Sequence, residues 1–138
     1  MSEIKVDKIS GKTSANAVTV TGENGTTQTS LQQGLAKAWI NFNGDGTIAS
    51  RDTFNTTSLT DVGTGNYSFD FTNDMANNDY AISGQNRSPG VRAGAGINAP
   101  SNSDSDAATG SLEFYTIFVS GDPFDYTQIS VIIHGDLA

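Results

Sequence analysis

Residues 66–71 read Asn-Tyr-Ser-Phe-Asp-Phe and carry the clearest strand pattern in the chain. The three aromatic residues, Tyr67, Phe69 and Phe71, alternate with a serine and an aspartate. Successive side chains of a β-strand point to opposite faces of its sheet, so this spacing gives the strand one apolar and one polar face. The stretch therefore predicts an antiparallel strand that packs its aromatic face on a hydrophobic core.

Four further segments have strand-like patterns, and short clusters of turn-forming residues separate them. The segments are Ala38–Phe42, Tyr80–Ser83, Leu112–Val119 and Ile129–Ile133, and the turns are Asn43–Gly46, Gly63–Asn66 and Gly121–Pro123. The near-continuous apolar runs at 112–119 and 129–133 predict strands buried on both faces. Six to eight short strands at this spacing predict an all-β fold, an antiparallel β-sandwich of the jelly-roll kind.

The composition supports this fold and excludes several functional classes. Gly, Ser, Thr and Asn account for 58 of the 138 residues, which argues against a helical bundle. The absence of cysteine excludes disulfides, thiol catalysis and cysteine-bound zinc. A net charge of −8 argues against a nucleic-acid partner. No apolar run approaches the ~20 residues that span a bilayer, and the first twelve residues lack an apolar secretion signal, so we expect neither membrane insertion nor secretion.

The charge distribution divides the chain into an arm, residues 1–37, and an acidic β-sandwich domain, residues 38–138. The arm has a net charge of +1 and the domain a net charge of −9. Within the arm, Ile4, Val6 and Ile9 form one thin apolar face between charged residues. So few apolar side chains cannot offset the ~1–2 kcal/mol that ordering each residue costs. The arm is therefore disordered or stabilised by another chain, and we favour the second interpretation.

Residues 29–37 are the only segment with helical spacing. Ser30 or Thr29 is placed to cap the helix, and Leu31 and Leu35 lie four residues apart on one face. Two turns of helix are marginally stable alone. Three copies around an axis would bury both leucines, whereas a single turn packed on its own domain explains the same residues.

Residues 84–110 are too long for an ordinary loop and contain two of the three arginines, Arg87 and Arg92. The segment is therefore functional, mobile, or contains a short strand around Val91–Ile97. Loops carry the variable chemistry of a sandwich, so a partner or ligand is expected to bind here. A glycine-rich excursion without a ligand is the alternative.

The residues that enzymes and metal sites require are poorly placed. His134 is the only histidine, it ends an apolar strand, and no nucleophile elbow accompanies it. Residues 41–52 resemble an EF-hand loop in part, but an aspartate stands at the twelfth position and a hairpin turn explains the pattern better. Most acidic residues lie in predicted turns, where they cap backbone amides. We expect no catalytic residue, no metal and no cofactor.

Three blocks of sequence resemble structural proteins of tailed bacteriophages. Ser-Glu-Ile-Lys-Val-Asp-Lys-Ile-Ser at 2–10 resembles the start of tail-fibre proteins, particularly those of cyanophages and other marine phages. The block 31–47, from Leu-Gln-Gln-Gly-Leu-Ala-Lys to Asn-Gly-Asp-Gly-Thr, and the block 59–72, from Leu-Thr-Asp-Val-Gly to Phe-Asp-Phe-Thr, are similar to segments that recur in such proteins. Together with Met75, Tyr80 and Ala81 they cover about residues 1–81.

The resemblance implies a homotrimeric appendage on the virion surface, assembled in the host cytoplasm, whose arm docks on another virion protein of the tail or capsid. The residues expected to attach it or to hold the trimer are Ile4, Val6, Ile9, Leu31 and Leu35. The outward β-sandwich is expected to bind a host surface glycan. The candidate contacts are Asn86, Arg87, Arg92, Tyr115 and Tyr126.

One departure from tail fibres keeps other virion roles open. Tail fibres usually have a shaft between the anchor and the tip, whereas here the arm leads almost directly into the domain. A short spike, a small receptor-binding tip, a capsid decoration or cement protein, or a head-fibre protein fits this length as well. A polysaccharide-degrading enzyme ranks third, because no pair of carboxylates marks a cleft.

Overall fold

The computed structural model describes residues 3–12, 17–23, 25–90, 97–98 and 107–138. The chain divides into two compact units, Met1–Leu35 and Ala36–Ala138. This division lies two residues before the predicted boundary. Lys37 belongs to the second unit, where its backbone N–H donates a hydrogen bond of 2.8 Å to the carbonyl oxygen of Ile133.

The described part of the chain contains ten strands and one short helix. In chain order they are β1 Thr19–Thr21, β2 Gln28–Ser30, α1 Leu31–Gly34, β3 Ala38–Asn43, β4 Ala49–Phe54, β5 Thr60–Gly63, β6 Asn66–Asp70, β7 Ala81–Arg87, β8 Ile97–Asn98, β9 Ser111–Thr116 and β10 Gln128–His134. Within the described ranges, no helix has the length and apolar character needed to cross a membrane.

The first unit is a small hairpin followed by one helical turn. Strands β1 and β2 pair antiparallel, with Val20 opposite Thr29. Ser30 caps α1 as predicted, since its hydroxyl accepts a hydrogen bond of 3.3 Å from the backbone N–H of Gln33. Leu35 is already extended, with φ −94° and ψ 141°. The helix predicted over 29–37 is therefore a single turn, and Leu31 and Leu35 do not share a helical face.

The strand pattern at Ile4, Val6 and Ile9 is not realised as a strand. No strand includes residues 4–9, and the three side chains are exposed by 88%, 59% and 62%. A strand needs a neighbour to pair its backbone groups, and β1 and β2 pair only with each other. In the single chain this apolar face is open to solvent.

The second unit is a sandwich of two four-stranded sheets. The front sheet has the strand order β4-β3-β10-β7, and the back sheet has the order β5-β6-β9-β8. All the pairings in both sheets are antiparallel. The prediction of an all-β antiparallel sandwich is confirmed.

Aromatic side chains from both sheets fill the space between them. Phe42 of the front sheet meets Tyr67 of the back sheet edge to face, with 5.1 Å between the ring centroids. Phe114 lies 6.2 Å from Phe42 and 6.1 Å from Phe69. Aromatic pairs in such geometry contribute about 0.5–1.5 kcal/mol beyond the area they bury. The alternating aromatic residues of 66–71 thus form the centre of the core, as predicted.

The two apolar runs form strands with one buried face, contrary to the prediction that both faces are buried. On β10, Val131 and Ile133 are fully buried while Ile132 between them is 41% exposed. Strand β9 alternates in the same way and ends at Thr116, before the last residues of the predicted run. Each sheet has the core on one side only, so the other side of every strand faces outward.

Two edge strands and part of a third were not predicted. Strands β4 and β5 are exposed along their whole length and so lack an apolar alternation. Strand β7 continues from the predicted 80–83 to Arg87, into the segment expected to be a loop. The sequence also suggested a short strand around 91–97. Its last residue, Ile97, lies in β8, which pairs with β9. Residues 91–96 lie outside the described residues.

A carboxylate at the end of the sandwich links three separate segments. Asp125 Oδ1 accepts hydrogen bonds of 2.6 Å from the Tyr67 hydroxyl and from the backbone N–H of Gly65. Gly65 has a φ of +66°, and the carbonyl of Thr116 stands where its Cβ would be. Burial, and next the hydrogen bond to Asp125, raise the pKa of Tyr67 and keep its hydroxyl protonated as the donor. This network fixes the β5–β6 turn against the segment that precedes β10.

We expect the Asp125→Ala variant to lose about 2–4 kcal/mol of unfolding free energy, because the Tyr67 hydroxyl and the Gly65 N–H would lose their shared charged acceptor. Urea unfolding of the full chain, followed by the fluorescence of its single tryptophan, Trp39, measures this change. The matched control is Asp122→Ala, since Asp122 is exposed and its carboxylate accepts a hydrogen bond from the hydroxyl of Ser120 in the same turn. Equal stability losses in the two variants would contradict the role given to Asp125.

Candidate functional site

The outer face of the front sheet carries apolar, polar and basic side chains. Alternate residues of β3 and β10 are buried, so the remaining ones point outward. The strand register then arranges these outward residues in three rows that cross the sheet. We call them the apolar, polar and basic rows.

The apolar row contains an exposed aromatic ring and a partly exposed one. Trp39 pairs with Phe54 of β4 and with Ile132 of β10. Phe54 is 52% exposed and Ile132 41%, while Trp39 is partly buried. Directly opposed side chains of antiparallel strands have Cβ atoms about 4.5–5.5 Å apart, so the three form a continuous strip. Trp39 lies in the strand predicted at 38–42, but its outward position was not predicted.

The polar row lies two residues along each strand from the apolar row. Ser130 pairs with Asn41 on one side and with Gln85 on the other. The Asn41 amide donates a hydrogen bond of 2.6 Å to the Ser130 hydroxyl. On the far side of Asn41 its partner is Asp52. The row therefore offers amide, hydroxyl and carboxylate groups at the surface of a rigid sheet.

The basic row brings two arginines from opposite edges of the front sheet to one cleft. Arg51 comes from a β-bulge in β4, where the register shifts between Asn41 and Phe42, and Arg87 is the last residue of β7. The cleft has a volume of about 600 Å³. It is lined by Arg51, Arg87, Ser88, Pro89, Thr127 and Gln128. A second hollow, of about 210 Å³, joins the basic row to Gln85 and Ser130 of the polar row.

The five residues predicted to contact a receptor do not form one surface. Arg87 is exposed on the front sheet, whereas Tyr115 lies on the outer side of the back sheet, where its hydroxyl accepts a hydrogen bond of 3.0 Å from the Asn66 amide. Asn86 is 2% exposed and Tyr126 is fully buried, so the prediction is wrong for these two. Arg92 lies outside the described residues.

The physical reason for the two corrections differs. Asn86 alternates with Arg87 on β7 and so points inward when Arg87 points outward. Tyr126 buries its ring against Phe124, at a centroid distance of 4.8 Å, while its hydroxyl donates a hydrogen bond of 3.1 Å to the Ile117 carbonyl. A tyrosine whose hydroxyl finds such a partner is a core residue.

Three of the five predicted attachment residues lie together in the first unit. Ile9, Leu31 and Leu35 line an apolar groove of about 240 Å³, together with Gly11, Val18 and Gln32. Leu35 is 56% exposed. Ile4 and Val6 are exposed and do not line this groove.

The residues considered for catalysis and metal binding lie in a hairpin turn and at the end of a strand. The EF-hand-like segment forms the β3–β4 hairpin turn, in which the Asn43 amide donates to the carbonyl oxygens of Asp45 at 2.6 Å and Thr47 at 3.2 Å. His134 ends β10 and is partly buried. Among the residues that the structure describes, no three His, Asp or Glu side chains gather as metal ligands would.

Comparison of the chain with protein-family models found no match. Comparisons with curated proteins and with solved structures found no similar protein either.

We expect Ile132→Ala to change the unfolding free energy by less than about 1 kcal/mol, whereas Ile133→Ala should lower it by about 2–5 kcal/mol. The two residues are neighbours of the same type, and only Ile133 is fully buried. Urea unfolding followed by Trp39 fluorescence gives both values. A loss for Ile132→Ala as large as that for Ile133→Ala would contradict the outward orientation of the apolar row.

Proposed function

We propose that this chain is a subunit of a bacteriophage surface appendage that binds glycans of the host surface. Its second unit would hold the sugar on the outer face of the front sheet, and its first unit would join copies of the chain and attach them to the virion. The observation that carries the proposal is the apolar row beside the polar row. The resemblance of residues 1–81 to tail-fibre proteins supplies the biological setting.

The two rows match the two kinds of surface on a sugar ring. A pyranose presents C–H groups on its face, which stack on an aromatic side chain, and hydroxyl groups around its rim, which need hydrogen-bonding partners. Trp39 and Phe54 offer aromatic surface, and Asn41 and Gln85 offer amides one row away. Binding sites commonly combine apolar lining with a few fixed polar groups in this way. The rigid sheet holds both rows in place, so little ordering is required on binding.

The first unit supports the attachment role. It exposes Ile4, Val6, Ile9 and Leu35, which a chain alone leaves in water. Exposed apolar groups in a groove are typical of surfaces that another protein covers. We propose that the groove lined by Ile9, Leu31 and Leu35 is covered in a homotrimer, and that Ile4 and Val6 contact another virion protein.

A role as a capsid decoration protein is the second candidate. The same exposed arm supports it, because a decoration protein also needs an apolar segment that docks on the particle. The two candidates differ in what the front sheet does, since decoration does not require a sugar.

We expect the 138-residue chain to bind a subset of sugars on a glycan microarray of bacterial surface polysaccharides, and Phe54→Ser to weaken that binding about fivefold to thirtyfold. Truncating a central aromatic contact of a binding site costs about 1–2 kcal/mol, which corresponds to this range. Isothermal titration calorimetry with the best sugar from the array measures the change.

Val62→Ser is the matched control, because Val62 is 50% exposed on β5 of the back sheet. It should leave the affinity unchanged. If no sugar binds, or if the two variants weaken binding equally, the front sheet is not a glycan site and capsid decoration becomes the better proposal.

We expect light scattering to give a mass three times the 14.4 kDa of one chain. Leu31→Asp should shift the protein toward monomer, because a charge in the groove of the first unit would be desolvated at the interface. Val119→Asp is the control, since Val119 is 69% exposed in the second unit. A monomer at every concentration would contradict self-association, and a trimer that survives Leu31→Asp would place the interface elsewhere.

A further inference from the structure

The two arginines of the basic row are held in place by neighbouring residues of one segment. Arg51 Nη2 donates a hydrogen bond of 2.5 Å to the carbonyl oxygen of Thr127. Arg87 Nε donates one of 2.6 Å to Gln128 Oε1. Thr127 is itself fixed, because its backbone N–H donates to the Ser88 hydroxyl at 2.9 Å and its own hydroxyl donates to the Arg87 carbonyl at 3.2 Å. These bonds limit the positions of both guanidinium groups, and both arginines line the same cleft.

Each arginine retains most of its hydrogen-bonding capacity. A guanidinium has five N–H donors, and among the described residues Arg51 uses one of them on Thr127 and Arg87 one on Gln128. Neither arginine makes an ion pair with a described residue. The ion pair found in the described ranges joins Lys5 to Glu3 at 3.4 Å. Asp52 follows Arg51 in the sequence, and its Oδ1 accepts a hydrogen bond of 2.9 Å from the backbone N–H of Thr53.

The positive charge of this cleft contrasts with the rest of the second unit. Residues 38–138 carry twelve acidic residues and three arginines, and two of those arginines meet here. A long polyanion such as nucleic acid would extend beyond the cleft, and the surrounding acidic surface would repel it there. A short ligand with a localised negative charge would meet only the two arginines.

The cleft lies on the same outer face as the two rows that would bind the sugar. Gln128 of the basic row is four residues along β10 from Ile132 of the apolar row, a distance of about 13 Å at the usual rise of a strand. An oligosaccharide of a few rings covers such a distance. Its acidic group would reach the arginines while a neighbouring ring stacks on Trp39 or Phe54.

We infer that the cleft between Arg51 and Arg87 selects acidic saccharides, whose carboxylate or sulfate group the two guanidinium groups bind. Paired N–H donors of arginine match the two oxygens of such groups. This inference rests on the proposed glycan-binding function and adds the class of sugar to it.

The test compares sugars that differ only in charge. Oligogalacturonate carries a carboxylate on each ring, and its methyl ester has the same rings without the charge. By isothermal titration calorimetry, the unmodified chain should bind the oligogalacturonate at least about tenfold more tightly than the ester, and added salt should reduce the difference. Dextran sulfate and dextran form a second pair, and the pair with the larger difference identifies the acidic group.

The variants Arg51→Gln and Arg87→Gln should each weaken binding of the acidic member about tenfold and leave the neutral member unchanged. Arg87→Lys keeps the charge but loses the paired donors. Its affinity for the acidic member should therefore lie between that of the wild-type protein and that of Arg87→Gln. Lys8→Gln is the control for net charge, because Lys8 is an exposed residue of the first unit. Unfolding midpoints by Trp39 fluorescence verify that each variant is folded.

The outcomes separate this inference from the function on which it rests. If the wild-type protein binds acidic and neutral members equally, selection of charge is overturned while glycan binding stands. If Lys8→Gln weakens binding as much as the arginine variants do, the effect comes from net charge and the cleft is not the site. Binding of none of the four sugars, together with an empty glycan microarray, overturns both proposals.

Discussion

The edge-to-face packing of Phe42 on Tyr67 is the contact on which the arrangement of the second unit depends. It joins the central part of the front sheet to the back sheet, with Phe114 completing the cluster. Close-packed rings permit few alternative positions, so the register of β3 against β10 is fixed by which residues reach the core. Every outward position on the front sheet follows from that choice. The order of the apolar, polar and basic rows is therefore a consequence of the core.

The sandwich could be predicted from the sequence because its central strands alternate or concentrate apolar residues. Residues 66–71 and 38–42 carry that information locally. Strands β4 and β5 could not be found in the same way, since they lie at sheet edges and are exposed throughout. Their positions depend on backbone pairing with β3 and β6, which leaves no pattern in the side chains.

The candidate site was largely hidden from sequence reasoning because its residues come from distant segments. Arg51 and Thr127 are 76 positions apart, and only the paired sheet brings them together. The prediction for Arg87 identified an exposed residue but grouped it with Asn86 and Tyr126, which are buried. Polarity suggested a surface position for these two. Asn86 instead follows the alternation of β7, and Tyr126 buries a ring whose hydroxyl is hydrogen-bonded.

The bulge at Arg51 places an extra residue in an edge strand, and this has an evolutionary consequence. Substitutions at the outward positions of the front sheet change one side chain at a time and leave the rest of the face intact. Deletion of Arg51 would restore a regular alternation and leave Asp52 opposite Asn41 and Ser50 opposite Phe42. Loss or gain of this one residue would therefore switch the cleft between one and two guanidinium groups without a change in strand pairing.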